Sequence, residues 1–444
     1  MRRLERRAIM CLMLAAVLFL GIVVFSWRFV TRGGKWASFY GNTQVYTDGV
    51  ISRGSVCDRN GILLASCTED GIVYVDDTTL RKATAHAVGD PGGNIPYGAV
   101  NYFKDELIGY DLLNGTYDAS RDGKSIQLTI DAEANRTAYN YLSYYDAGLI
   151  GVFNYKTGEI VCMVSTPAVD PAYYDDVDPD SAVYYNNFIQ ATLTPGSTFK
   201  LVTAAAAIET LDMEDYSFDC DGYNEYGGDA FRCVAYHGEE DFYDALANSC
   251  NGAFGEITRT VGAGTMKKYV NQFGLTSPVD IDGIQTAKGS FSFPGDDDVA
   301  LSWAGIGQGE DLVNPCAMMV YVGAIANDGE AVAPRLLKRT GIFRRRSGKS
   351  LGHYLDAGTA AELRKMMKNN VESSYGAGNF PELDIYAKSG TAEVGYGETS
   401  WFVGFIDDEA HPYAFVCWVD GGYGGAATCG PIVRATLYTL IENN

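Results

Sequence analysis

The sequence predicts an α+β protein, an antiparallel sheet flanked by helices, joined to a small N-terminal module and one transmembrane helix. Three observations carry this expectation. Two apolar runs, 148–153 and 159–165, flank the turn Asn-Tyr-Lys-Thr-Gly. Three strand-like runs come late: LDIYAKSGTAEVG, SWFVGFIDD and HPYAFVCWVDGG. Helical patterns fill the interval and close the chain, and strands early and late with helices between pack as sheet and helices rather than as alternating βαβ units.

In chain order, MRRLERR precedes the uncharged residues 8–27. About 20 residues at 1.5 Å each span the roughly 30 Å hydrocarbon core. Arg2, Arg3, Arg6 and Arg7 place the N-terminus in the cytoplasm by the positive-inside rule. A cleaved signal peptide is the alternative, but its apolar region is usually about 7–15 residues and ends in a small-residue site. An uncleaved anchor is expected, with residues 1–7 as a cytoplasmic tip and 8–27 as the span. Residues 28–147 are mixed and turn-rich and gather no catalytic groups, as suits a support or docking module. They end in a strand, SIQLTID at 125–131, and a helix, AEANRTAYNYLSYY. From 148 to 444 a second regime holds the hairpin, a helix from about 195 to 211, a polar segment at 212–241, helical material at 242–275 and a helix at 314–328.

The net charge of −22 makes nucleic acid an unsuitable partner, and no basic stripe offsets it. Arg344-Arg345-Arg346 reads as a solvated turn. Nine of the ten cysteines lie beyond the apolar run, an odd number. Cys57/Cys67, Cys220/Cys233 and Cys417/Cys429 are the local pairs an oxidising compartment could close. The spacings fit no zinc pattern and the four histidines are scattered, so neither metal nor cofactor is expected.

The chemistry centres on TPGSTFK, residues 194–200. Ser197 and Lys200, three apart on a helix, share a face with about 5–6 Å between Cβ atoms. A helix starting at Pro195-Gly196 would put Ser197 at its positive end, where free N–H groups can hold an oxyanion, while a desolvated Lys200 takes the serine's proton. S-x-x-K alone is weak, since a chain this long should show about one by chance. Two further motifs follow: Ser249-Cys250-Asn251 as S-x-N, and Lys388-Ser389-Gly390-Thr391 on a predicted strand. The literal Lys156-Thr157-Gly158 precedes Ser197 and sits in the hairpin turn, a decoy. No G-x-S-x-G occurs, and the Gly-Lys-Ser triplets at 123–125 and 348–350 lack the leading P-loop glycine, with Asp118 and Phe343 there instead. Cys250 reads as a small buried residue beside a serine.

With RGSVCDRNGILLA (53–65), LTID (128–131), GIGQGEDLVNP (305–315), AIANDGE (324–330) and WFVGF (401–405), the three motifs form a specific set. The chain resembles a class B penicillin-binding protein, a monofunctional peptidoglycan D,D-transpeptidase, of the compact type with a short N-terminal module. The resemblance implies the serine β-lactamase/transpeptidase type of fold, with a penicillin-binding domain at 148–444 and a pedestal at 28–147. It implies that Ser197 attacks the penultimate D-Ala carbonyl of a stem pentapeptide, or a β-lactam, with Lys200 as base. Ser249, aided by Lys388, would pass the proton to the leaving amine, and Asn251 would hold the donor amide. Ser389 and Thr391 would bind the terminal carboxylate, Gly390 would admit the substrate backbone, and the N–H groups of Ser197 and Thr391 would form the oxyanion hole. The implied partner is a membrane-embedded glycan-strand polymerase.

Three rivals are weighed. A serine β-lactamase would need neither an uncleaved anchor nor the 53–65 segment. A β-lactam sensor would carry several spans before its binding domain. A catalytically idle scaffold would have lost Ser197, Lys200 or Lys388, and all three are present.

Overall fold

The computed structural model describes residues 2–41, 45–109, 123–226, 229–339, 348–395 and 397–443. The arginine run at 344–346, Asp118 and Phe343 lie outside them.

The uncharged run lies inside a longer helix, α1 (Arg2–Ala37), exposed along its apolar length. Thirty-six residues extend about 54 Å, more than the hydrocarbon core needs. Among the described residues it is the one helix long and apolar enough to cross a membrane. Its C-terminal end reaches the next module, where the Tyr46 hydroxyl donates to the Ser38 carbonyl at 2.9 Å. That module is built on a four-stranded sheet of β1 (Ser55–Cys57), β2 (Leu63–Thr68), β3 (Gly71–Tyr74) and β4 (Ser125–Gln127), in the order β3-β2-β1-β4. The helix α2 (Thr78–Val88) starts at Asp77, whose carboxylate caps the Leu80 N–H. The expected helix after 131 is α3 (Ala132–Leu142), capped in the same way by Asp131.

The larger sheet has five antiparallel strands. The early hairpin gives β5 (Gly148–Asn154) and β6 (Ile160–Thr166). The three late runs give β11 (Ile385–Val394), β12 (Gly397–Ile406) and β13 (Tyr413–Asp420), numbered after four short strands described below. The order β11-β12-β13-β5-β6 brings the two ends of the domain together. Both faces are covered, which is why β5, β6 and β13 and the second half of β12 read as nearly unbroken apolar runs. Phe402, Phe415, Cys417 and Val419 join Ala134 and Leu142 of α3 and Val433 and Leu437 of the closing helix in one apolar cluster. Their neighbours Trp401, Val403, Val416 and Trp418 point the other way, into a cluster with Met319 and Val322. That period of two sets the register, Trp401 opposite Trp418 and Lys388 opposite Val403.

Between hairpin and late strands lie α4 (Lys200–Thr210), α5 (Phe242–Ala247), α6 (Asn251–Val261), α7 (Ala263–Gln272), α8 (Pro315–Ala326) and α9 (Ala357–Asn370); α10 (Gly425–Glu442) closes the fold. Two expectations change. The helix drawn from 195 begins as a 3-10 turn, Gly196–Phe199, and becomes α-helical at Lys200. The polar segment 212–241 contains four strands, β7 (Ser217–Cys220), β8 (Tyr223–Tyr226), β9 (Asp229–Arg232) and β10 (Gly238–Asp241), paired as two ribbons, β7 with β10 and β8 with β9. Their Asp, Tyr and Gly content masks a strand signal that pairing, not apolar periodicity, supplies.

Candidate active site

The 3-10 turn presents Ser197 where the sheet edge β11 meets the helices. Gly196 has φ +53°, and a Cβ there would fall 2.3 Å from the Thr391 carbonyl oxygen, so only glycine lets the turn rest against the strand. From the other side Gly307, in the GIGQGE loop, accepts the Gly196 N–H at 2.9 Å. Trp401 Nε1 donates to the Thr194 carbonyl at 2.9 Å. The turn that carries Ser197 is therefore held by strand, loop and core.

Lys200, fully buried, is the hub. Its Nζ lies 3.1 Å from Ser197 Oγ, 3.1 Å from Ser249 Oγ, 2.6 Å from the Ser249 carbonyl and 2.8 Å from Asn251 Oδ1. Lys388, also fully buried, donates to Ser249 Oγ at 3.0 Å and to the Ser389 carbonyl at 2.9 Å. Ser249 thus bridges two lysines, in a left-handed conformation with φ +55° that is unusual for serine. Burial pulls the Lys200 pKa down to about 8, with Cys233, Cys250 and Glu240 partly sustaining the charge. Burial, and then the charge of Lys200, holds Lys388 well below the ordinary lysine range. Converging ammonium groups in a dry cleft create the proton acceptor that an exposed lysine cannot be.

The three motifs expected to act together do meet: Ser197, Ser249, Asn251, Ser389, Gly390 and Thr391 line one cleft of about 650 Å³, and Lys200 and Lys388 form its buried floor. Gly390 has a further reason to be glycine. A Cβ there would meet Thr198 at 2.8 Å and the Pro195 carbonyl at 3.1 Å, so its bareness seats the nucleophile turn against the strand as well as opening the cleft. Lys156-Thr157-Gly158 stays in the β5–β6 turn, where Lys156 Nζ bonds Asn327 Oδ1 at 2.7 Å, away from the cleft.

Sequence reasoning missed several cleft residues. The hydroxyl of half-buried Tyr375 accepts from the Ser389 N–H at 2.9 Å and meets Ser389 Oγ at 3.1 Å, fixing that side chain. Arg232, Trp303, Gln308, Glu393 and Glu398 line the mouth. Local spacing suggests no metal site, yet the fold gathers a cluster of residues able to ligate. Ligand atoms of Cys220, Cys233, His237 and Cys250 all lie within 4.8 Å of one another. Folding of the two ribbons onto the Ser249–Asn251 turn brings together residues that no local spacing joins. Cys250 is buried as expected, but it also caps α6, accepting the Ala253 N–H.

The model of the penicillin binding protein transpeptidase domain matches residues 148–438. The chain belongs to this family and stands with its class B members. It is 30% identical over 314 residues to stage V sporulation protein D of Bacillus subtilis, covering 65% of this chain and about half (48%) of that protein. It is 26% identical over 330 residues to the peptidoglycan D,D-transpeptidase PbpA of Mycobacterium tuberculosis, covering 66% of this chain and 67% of PbpA. The fold is shared with crystal structures of M. tuberculosis PBPA (TM-score 0.74, 24% identity, 88% of this chain and 99% of that one). It is shared equally with a D,D-transpeptidase domain from Eggerthella lenta (TM-score 0.73, 23% identity, 88% and 98%).

Proposed function

We propose that this chain is a membrane-anchored peptidoglycan D,D-transpeptidase that cross-links stem peptides through an acyl-enzyme on Ser197 and is acylated there by β-lactams. One observation carries the reading: a buried lysine in contact with three motif side chains, Ser197 Oγ, Ser249 Oγ and Asn251 Oδ1, beside a second buried lysine on Ser249.

Lys200 takes the Ser197 proton as Oγ attacks the penultimate D-Ala carbonyl. The N–H groups of Ser197 and Thr391 hold the oxyanion, a pairing supported by the close approach of the Gly196 turn to Thr391. Ser249, between the two lysines, passes a proton to the departing D-Ala amine. Asn251 holds the donor amide, and Ser389 and Thr391 bind the terminal carboxylate. Attack by the amine of a second stem peptide then releases Ser197 and forms the cross-link. The test is incubation with a glycan strand bearing a D-Ala-D-Ala pentapeptide and detection of released D-Ala and cross-linked product by mass spectrometry. Neither product forming would refute the reading.

Because Lys200 must be neutral to act as base and its pKa is lowered to about 8, acylation by a fluorescent penicillin is expected to rise about tenfold per unit from pH 6 towards 8 and level off above. A flat or falling profile would remove Lys200 from that role.

The reading extends to topology: residues 1–7 cytoplasmic, 8–27 in the membrane, and 28–147 a pedestal for the catalytic domain at 148–444 outside. A membrane-embedded glycan-strand polymerase is the proposed partner, engaged through 8–27 and the pedestal. Exchanging the anchor for an unrelated helix should impair growth while leaving penicillin acylation intact, and unchanged growth would remove the partner's support.

A further inference from the structure

We propose that Cys220, Cys233, His237 and Cys250 form a closed zinc site that fixes the Ser249–Asn251 turn of the active site. The geometry is that of a ligand shell. Cys233 Sγ lies 3.8 Å from Cys250 Sγ and 3.7 Å from His237 Nδ1. A tetrahedral Zn²⁺ with Zn–S of about 2.3 Å and Zn–N of about 2.0–2.1 Å has S···S edges of about 3.8 Å and S···N edges of about 3.6 Å. A disulfide would need about 2.05 Å.

An independent observation points to a cation in the same place. Glu240 is buried, 2% exposed, and its Oε1 accepts from Asn248 Nδ2 at 2.8 Å. Among the described residues its Oε2 meets no donor at hydrogen-bond distance, and it faces His237 Nδ1 at 3.7 Å. A buried carboxylate oxygen facing the imidazole of this cluster is costly unless positive charge sits beside it. The sulfurs are also prepared as thiolate ligands: the Asn251 N–H donates to Cys233 Sγ at 3.0 Å and the Ala253 N–H to Cys250 Sγ at 3.4 Å, the outer bonds that orient metal ligands. Three soft thiolates and one imidazole with no open position select Zn²⁺ in a structural role among common divalent ions.

The consequence for the active site follows from chain position. Cys250 lies between Ser249, which bridges both lysines, and Asn251, which accepts from Lys200. Cys220 ends β7, and Cys233 and His237 lie between β9 and β10. A metal joining them ties the strained Ser249 backbone directly to the two ribbons that already share its apolar core. These cysteines and His237 are positioning residues. The binding claim stands independently of the catalytic reading; the effect on acylation rests on it.

The test uses the full chain in detergent. Zinc per chain is measured for the wild type, Cys220→Ser, His237→Gln and a Cys57→Ser control. The chelated wild type is also reloaded with Co²⁺ to seek the absorption of tetrahedral cobalt–thiolate. About one zinc in the wild type and control, a loss of at least about tenfold in both site variants, and a cobalt–thiolate band are expected. Chelation should slow labelling by fluorescent penicillin about tenfold or more, with recovery on adding zinc. A wild type with neither zinc nor the cobalt band, which needs no variant to fold, overturns the site. Zinc retained in both variants overturns the ligand assignment, and labelling unchanged by chelation overturns the positioning role. A zinc-loaded chain that penicillin never labels supports the metal site and refutes only the catalytic reading.

Discussion

Lys200→Ala is expected to lower the rate of acylation by benzylpenicillin at least about a thousandfold, because nucleophile and base fail as a unit. The Lys200 ammonium has four oxygen partners in the structure, and no other base touches Ser197 among the described contacts. Removing it leaves Ser197 with its ordinary, unreactive hydroxyl and frees Ser249 and Asn251 from their common partner. Lys200→Arg should not rescue the rate, since a guanidinium does not give up its proton near neutral pH. Stopped-flow labelling of each variant, with circular dichroism to confirm folding, measures the effect. A folded Lys200→Ala chain acylated within tenfold of the wild type would contradict the assignment.

Gly196→Ala should lower acylation about a hundredfold without unfolding the protein. Alanine at φ +53° is strained, and its Cβ would lie 2.3 Å from the Thr391 carbonyl oxygen and 2.8 Å from the carbonyl carbon. Both neighbours are backbone in a paired strand, so the nucleophile turn must retreat by about an ångström. A displacement of that size at a reacting centre costs about 10²-fold. The strand itself, paired along its length with β12, has little reason to yield. Labelling kinetics beside thermal unfolding would separate this loss from simple destabilisation. An unfolded variant, or one acylated at the wild-type rate, would contradict the account.

The larger sheet was legible because β5, β6, β12 and β13 are buried on both faces and appear as apolar runs of strand length, while the edge strand β11 showed itself by alternation around its motif. The groups of the candidate site were legible because they lie within short motifs: Ser197 with Lys200 on one turn, and Lys388 to Thr391 on one strand. What lay hidden depends on chain returning from a distance. Strands β7 to β10 form from polar residues whose partners are found only on pairing. Tyr375 reaches Ser389 from another element. The cluster of Cys220, Cys233, His237 and Cys250 has spacings outside the familiar zinc patterns because its ligands come from two ribbons and a turn. One signal was available: three cysteines and a histidine fall between 220 and 250, beside the S-x-N motif. The helix start also shifted, since the close approach at Gly196 favours a tighter turn before Lys200.

Intact-mass spectrometry of the full chain after incubation with benzylpenicillin, beside Ser197→Ala, tests the central claim most directly. The account predicts one penicilloyl adduct per chain, located on Ser197, absent from the variant and persisting for many minutes because the cleft serves an amine acceptor rather than water. An adduct in Ser197→Ala, an adduct on another residue, or one that hydrolyses within seconds would contradict it.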